Sequence, residues 1–498
     1  MTADDVKGDA GTPFEDALEK TGNGLYNILL LATCSLILLA IGVDMFGFSL
    51  VITAACDLEL TVMEKGIITS VPFVGILFVS YLWGYISDTR GRRLTLVVCM
   101  QAGFVLSCLC SVTPNWLVLA FIKFLAVCFS CAANSATYTL VGESCIQRVR
   151  SKYMLLMTCL ILLSPAVAGV LTYPTLKLQF EADLWFGVTF RPWRLLTIVL
   201  ALPSGLGAIA IYFFHESPKF LANRGRTDEA LEVLRSMYAI NHRNSKDEFG
   251  VKSLKLSEDM AKQQTTLLKA MFEQSAPLFR APYLWRTLQL FYIVFVVYIT
   301  NNSFLVWLPH ILNLIRLSLE TGSAAGNICA LISPEEQSPD VCIGTIEENV
   351  MVTLIASQSV FSFFNFVISY LPNRRKAVLI TILCLSSLGG VCLNLMPEPI
   401  SSVFFFVLFT CTCLGMGILA SYFVDLYPTS YRGMVACLSI MVGRTSTFIG
   451  INLVGKLIFR HCQVTFYLWS LLVLIAASSK GFSSVLFVIV VEVIIVPA

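Results

Sequence analysis

Three charges stand where an apolar chain has no ordinary use for them. Asp44, Lys123 and Arg444 each lie many residues inside a long hydrophobic run. A charge buried in hydrocarbon is costly, so such residues face a polar cavity or pair with one another. The expected chemistry is ion pairing and solute or ion recognition rather than bond making. Asn301, Asn302, Gln358 and Asn365 are uncharged polar groups at similar depths. They can bind a solute or tie neighbouring helices together, which polar side chains often do in bilayers. For Asp44 and Lys123 the alternatives are a working role in a cavity or a structural salt bridge.

A second group of charges sits at the ends of apolar runs. Gly84, Asp88, Arg90, Gly91, Arg92 and Arg93 fall within ten residues, where one run stops and the next begins at Leu94. Glu143 precedes Arg150 by seven positions, and Asp425 precedes Arg432 by seven. Arginine offers a planar fork for a carboxylate, so these sets are candidates for ion-pair latches. No nucleophile–base constellation and no phosphate-cradling loop of the ATPase type is present, so an enzyme is not expected. No cofactor or metal site is expected either. Cys128 and Cys131 have C-x-x-C spacing, but inside an apolar run cysteine packs as a small hydrophobe.

The elements that must position these residues follow from composition. The chain has 498 residues, 56% hydrophobic and 13% charged, with mean hydropathy +0.78. Lipid must be the solvent for most of such a chain. The net charge of +2 and the lack of a basic tract give no reason to expect nucleic acid as a partner. Residues 1–24 are polar and lack the apolar core of a signal peptide, so the first run is expected to remain as a helix.

The sequence predicts an all-α membrane protein of about twelve spans. Six lie in 25–214: Leu25–Ile52, Gly66–Ser87, Leu94–Ser111, Asn115–Val141, Tyr153–Thr172 and Pro192–Phe214. A charged stretch, 215–284, follows, with a surface helix expected from Thr227, as its cap, to Tyr238. Six more spans lie in 285–498: Trp285–Pro309, Val350–Tyr370, Ala377–Met396, Ser402–Val424, Gly433–Leu457 and one from about Val464. That last run is broken by Ser478–Gly481 and reads either as a kinked helix or as a helix followed by a membrane-lying tail.

The short loops at 88–93, 145–152, 372–376 and 425–433 hold ten Lys or Arg in 28 residues, against five in 90 for the opposite-side segments. Basic loops stay in the cytoplasm, which places both termini and 215–284 there. The loop 311–349 is then lumenal, and Cys329 and Cys342, thirteen apart in that oxidising compartment, are the candidate disulfide. The halves repeat weakly, since Gly91-Arg92-Arg93 matches Asn373-Arg374-Arg375-Lys376. Two six-helix halves with matching hinges imply a binding cavity at their interface.

At these motifs the chain resembles the major facilitator superfamily over nearly its full length. Gly84-x-x-x-Asp88-x-x-Gly91-Arg92-Arg93 looks like its loop 2–3 signature. Glu216-Ser217-Pro218-Lys219-Phe220-Leu221 and Asp425-x-Tyr427-Pro428-Thr429-x-x-Arg432-Gly433 look like the motifs after helices six and ten of sugar porters and organic-ion transporters. Trp307-x-Pro309 and Cys56-Asp57-Leu58 are similar to the synaptic vesicle glycoprotein 2 group. His215 stands where the first proline of the post-helix-six motif is usual, and Lys123 where arginine is usual.

The resemblance implies a pseudo-symmetric cytoplasmic gate made of Gly84, Asp88, Arg90, Gly91, Arg92, Arg93, Glu143, Arg150, Glu216, Asp425 and Arg432. In it Asp88 faces the start of helix eleven near Gly433. It also implies a substrate cavity lined by Asp44, Lys123, Asn301, Asn302, Gln358 and Arg444. The expected function is secondary transport of a small organic solute, such as an organic ion, by alternating access, with or without a coupling ion. The alternative is a vesicle-glycoprotein-like trafficking or regulatory role with little transport. The expected location is the plasma membrane or an intracellular vesicle.

Overall fold

The computed structural model describes residues 11–184, 188–255, 275–281, 283–320, 328–329, 346, 348–369, 375–396, 398–427 and 429–478. Their regular structure is helical apart from two short strand pairs, Thr12–Pro13 with Leu254–Lys255 and Ala182–Asp183 with Thr189–Phe190. Ten helical stretches are long and apolar enough to cross a bilayer, and the bent pair Val62–Leu77 and Leu82–Arg90 makes an eleventh. The twelfth, Cys462–Ser478, is shorter, and the rest of the expected last span, 479–498, lies outside the described residues.

In chain order the helices are α1 (Phe14–Lys20), α2 (Leu25–Ala54), α3 (Val62–Arg90), α4 (Arg92–Leu109), α5 (Trp116–Ser130) and α6 (Ala133–Ser144). There follow α7 (Gln147–Leu162), α8 (Ser164–Leu176), α9 (Pro192–Tyr212), α10 (Pro218–Asn223) and α11 (Thr227–His242). The second half has α12 (Leu284–Glu320), α13 (Glu348–Ser369), α14 (Arg375–Leu395), α15 (Pro399–Phe409), α16 (Leu414–Asp425), α17 (Thr429–Leu457) and α18 (Cys462–Ser478). Several single spans are broken pairs. The fourth divides into α5 and α6, and the tenth into α15 and α16 around a 3₁₀ turn at Thr410–Cys413. The fifth divides at Leu163, just before Pro165, which cannot donate into the preceding turn.

Two sequence expectations change here. The seventh span does not stop at Pro309, because α12 runs on to Glu320 into the segment expected as loop. Ile311, Leu312, Leu314 and Ile315 continue the helical spacing, and the first two are buried. That packing holds the helix together across the one hydrogen bond that proline removes. The surface helix extends to His242, and Arg226 rather than Thr227 is its cap, with Arg226 paired to Glu229. Residues 11–24 pack under this helix, since Ala17 and Leu18 of α1 are buried with Leu231, Leu234 and Met237 of α11.

Apolar packing is distributed unevenly along the bundle. One core belongs to the first half with α1 and the 220–251 stretch, and includes Leu30, Ile37, Leu140 and Leu234. A second belongs to the second half alone, around Ile293, Leu383, Leu414 and Val473. Both lie toward the end that carries Arg90–Arg93. The core at the opposite end joins the halves, combining Phe48, Leu50 and Leu196 with Phe304, Trp307 and Trp469. Between these levels a small cluster of Met45, Phe73 and Cys131 with Val306 and Ile451 also crosses the seam. Among the described residues, then, the halves share cores from mid-depth to the far end and keep separate cores at the basic end.

Candidate functional site

At the basic end, Gly91 ends α3 and begins α4 with φ 112°. Glycine is favoured there by conformation, and a Cβ would lie 2.4 Å from Glu216 Oε2 and displace that carboxylate. The Glu216 carboxylate fills that space. It accepts the backbone N–H groups of Arg92 at 2.8 Å, Arg93 at 3.0 Å and Ser217 at 3.0 Å. A carboxylate at a helix N-terminus is favoured by the free N–H groups and the helix dipole.

Arg92 is the hub of the cluster, its side chain 9% exposed. Its Nη2 donates to Glu143 Oε1 at 3.1 Å, and its Nε lies 3.1 Å from Oε2. It also reaches Asp88 at 3.0 Å and the Ser87 carbonyl at 3.2 Å, and lies over the Phe220 ring. Ser217 Oγ donates to Glu143 Oε2 at 2.5 Å. Arg93 donates to the Tyr212 carbonyl. Arg90 and Gly84, on the last turns of α3, make no polar side-chain contact in this cluster among the described residues and are exposed and half-buried, respectively.

This arrangement corrects two expected pairings. Glu143 does not pair with Arg150. Its fork comes from Arg92, while Arg150 donates to the Cys145 carbonyl at 3.2 Å and lies 3.7 Å from Glu15. The break between α6 and α7 puts Glu143 and Arg150 on different helices, so a seven-residue spacing no longer aligns them. Asp88 is 69% exposed and turns to Arg92 rather than to the start of α17. The carboxylate at a helix N-terminus is here Glu216 on α4. Among the described residues the cluster joins loops of the first half to 215–224 and does not cross the seam. Asp425 and Arg432 sit at the end of α16 and the start of α17, and their side chains lie outside the described set.

At mid-depth, Asp44 on α2 and Lys123 on α5 meet as expected. Lys123 Nζ is 2.6 Å from Asp44 Oδ1, and the side chains are 4% and 10% exposed. Ser107 donates to the other carboxylate oxygen at 3.2 Å, and Lys123 also donates to the Asp44 carbonyl at 3.3 Å. Lys123 further lies over the Phe48 ring at 4.9 Å. The pair is neutral, satisfied and inside the first half.

Asn301, Asn302 and Gln358 are buried. Asn301 donates to Asn302, and Asn302 donates to Thr447 at 2.9 Å, so these amides tie α12 to α17. Asn365 donates to Cys159 Sγ at 3.7 Å and Ser362 to the Cys159 carbonyl at 2.9 Å, both across the seam. Arg444 on α17 also reaches across it. Its Nη1 contacts Met45 Sδ at 3.6 Å, and its guanidinium lies 5.7 Å from the Phe73 ring centre. No carboxylate pairs with it among the described residues.

The expected disulfide is wrong in its partner. Cys329 bonds Cys462 at the start of α18, 133 residues away. Cys342 lies outside the described residues. Cys56, a residue not singled out as a disulfide former, is also disulfide-bonded.

A model of the Major Facilitator Superfamily matches residues 32–334, more than half of the chain. The chain belongs to the major facilitator superfamily. Its family and fold are those of membrane transporters, not enzymes, and it is a multi-pass membrane protein. Synaptic vesicle glycoprotein 2C of Homo sapiens is 23% identical over 232 residues, 46% of this chain and 32% of that protein. Synaptic vesicle glycoprotein 2A of Rattus norvegicus is likewise 23% identical over 232 residues, 46% of this chain and 31% of that protein. The match thus spans about a third of these curated relatives.

Among solved structures, the xylose transporter XylE from E. coli in a partially occluded inward-open conformation aligns with TM-score 0.65 and 12% identity. That alignment covers 91% of this chain and 98% of the other. A crystal structure of a D-xylose–proton symporter aligns with TM-score 0.63 and 13% identity, covering 91% and 97%. The likeness is one of fold.

Within this superfamily fold, sequence reasoning missed a polar cluster at the far end. Arg194 on α9 donates to the carbonyls of Ser111 at 3.1 Å and Thr113 at 2.7 Å, and lies 3.4 Å from Asp57. Trp193 Nε1 donates to the other Asp57 oxygen at 2.6 Å. A charge two residues inside an apolar span was the available signal. Two contacts also cross the seam here. Tyr173 donates to Glu348 at 2.5 Å, with Lys177 3.6 Å from the same carboxylate, and Asn452 donates to Ser70 at 3.1 Å.

Proposed function

We propose that this chain is a secondary transporter that moves a small organic solute by alternating access. The observation that carries this reading is the uneven seam. The halves share cores at mid-depth and at the far end but have separate cores at the basic end. Charged and polar side chains meet at mid-depth, where superfamily halves form their binding cavity. The basic loops support a cytoplasmic basic end, and the Cys329–Cys462 disulfide supports an oxidising compartment at the other. On that orientation the conformation is inward-facing, closed on the lumenal side by Tyr173, Lys177 and Glu348 and by Asn452 with Ser70. The Arg92–Glu143–Glu216 cluster keeps the first half rigid as the halves rock.

A pair of cysteines at Tyr173 and Glu348 tests the reading in proteoliposomes. Oxidation should lock the far side shut and stop uptake, with wild-type cysteines as the control, and reduction should restore it. Uptake by the cross-linked protein at the unlocked rate refutes alternating access. The vesicle-glycoprotein-like alternative would show no solute-dependent uptake in either state.

A further inference from the structure

We propose that the foot of α12 is an anionic-phospholipid site, where Arg280 and Arg286 grip the headgroup phosphate and the flank shared with α18 receives the acyl chains. A 3₁₀ turn, Ala276–Phe279, folds back on the second half just before α12. Its Leu278 is fully buried in the core that holds Leu290 and Ile293. The Arg280 carbonyl accepts the N–H groups of Tyr283 and Leu284 at 3.0 Å each, which fixes Arg280 at the start of the helix. The hydroxyls of Thr287 and Tyr427 meet at 2.9 Å, which fixes the foot to the chain leaving α16. The platform is therefore built, not a frayed end.

It presents an apolar face and unmatched charge together. Trp285 is 73% exposed, and Phe279 and Leu288 are exposed as well. Trp285, Leu288 and Tyr292 recur at helical spacing on one flank. Tyr292 donates to the Leu472 carbonyl at 3.5 Å, so that flank runs along α18, whose exposed Leu471 and Ile475 continue it. Arg280 and Arg286 are both exposed. No Asp or Glu occurs between Glu273 and Glu320 or within α18. Among the described residues neither arginine has an ion pair or a side-chain hydrogen bond. At the basic end of the first half, by contrast, Arg92, Arg150, Lys219, Arg226 and Lys246 each have a carboxylate.

Two free guanidinium forks match phosphate oxygens. An exposed indole at the edge of hydrocarbon settles at headgroup level. Cationic side chains just outside a spanning helix attract anionic lipid. A phosphate dissolved in water would use the arginines and leave the Trp285–Leu288 flank uncovered, whereas a lipid uses both. The surface therefore fits a phosphate that carries its own acyl chains.

Native mass spectrometry of the purified full chain, titrated with dioleoylphosphatidylglycerol or dioleoylphosphatidylcholine, tests this. The wild type should prefer the anionic lipid, and Arg280→Gln/Arg286→Gln should weaken its binding by about tenfold, as loss of two basic residues near an anionic lipid requires. Arg148→Gln/Lys152→Gln, which removes two exposed cations from the basic end of the first half, should leave that binding in place. Glycerol 3-phosphate, the phosphate without the chains, should fail to displace the lipid at equal concentration. If the Arg280/Arg286 variant does not fold, benzoylphenylalanine in place of Trp285 should photo-cross-link phosphatidylglycerol in preference to phosphatidylcholine.

The inference is overturned if the two lipids bind the wild type equally or label position 285 equally. It is overturned also if the Arg148/Lys152 variant loses as much binding as the Arg280/Arg286 variant, since the effect is then one of surface charge alone. Displacement by glycerol 3-phosphate at equal concentration would assign the arginines to a soluble anion and refute the lipid site.

Discussion

Replacing Lys123 by Met leaves Asp44 as a carboxylate 10% exposed inside a membrane helix, with the Ser107 hydroxyl as its remaining side-chain donor. At 2.6 Å the pair attracts by about 6 kcal/mol at an effective dielectric of ~20. Desolvation of both charges cancels much of that, so the pair contributes little against an apolar isostere. Removing one partner is different, because the other charge keeps its desolvation penalty, and the expected loss is about 3–5 kcal/mol. Asp44→Asn should cost a similar amount by stranding the ammonium. Asp44→Asn/Lys123→Met should recover most of the loss, so that its cost falls well short of the sum of the two single-mutant costs. Reversible unfolding in mixed micelles measures all four corners of the cycle. Single mutants that lose less than about 1 kcal/mol, or a double mutant whose losses simply add, refute the buried pair. Uptake by the double mutant then separates the two roles. A structural bridge predicts recovery of transport with stability, and a coupling role predicts a stable protein that no longer transports.

The remaining predictions concern the two ends. Arg92→Ala should strand Glu143 and free the 215–224 segment, lowering stability by about 2–3 kcal/mol, and limited proteolysis near Glu216 should accelerate; unchanged cleavage would show that Arg92 does not hold this segment. Cys462→Ser should expose Cys329 to maleimide and destabilise by as much as Cys329→Ser or both together, with ~4–5 kcal/mol as the chain-entropy ceiling for a separation of 133 residues; full labelling of Cys329 in the unreduced wild type would refute the bond.

Much of the fold was legible because one constraint dominates. Apolar runs long enough for hydrocarbon must be helices, and runs beginning at Leu25 and Pro192 or ending at Leu457 are bounded in the structure where the sequence bounded them. What failed did so where tertiary packing outweighs local pattern. Pro309 reads as a stop, yet buried Ile311 and Leu312 carry α12 past it. Cys329 lies near Cys342 in sequence and near Cys462 in space, and nothing local distinguishes them. Arg194 needed Asp57 and two carbonyls from separate loops before its charge made sense.

The site divides along the same line. Asp44 and Lys123 were legible as a pair because hydrocarbon leaves deep opposite charges few partners. The basic-end residues were legible as a cluster but not in their pairing, since an arginine at a water-facing end has many acids within reach. Asp88 is the instructive case. Its i,i+4 bond to Arg92 and its 69% exposure belong to a state in which the halves keep separate cores at that end. At that exposure Asp88 is open to a further partner, whereas Glu143 and Glu216 are held by Arg92 and by the α4 N-terminus. A sequence motif records every partner a residue takes over the cycle, and one conformation displays a subset. On the alternating-access reading proposed above, Arg92, Glu143 and Glu216 belong to the static frame of the first half, and Asp88 to its moving part.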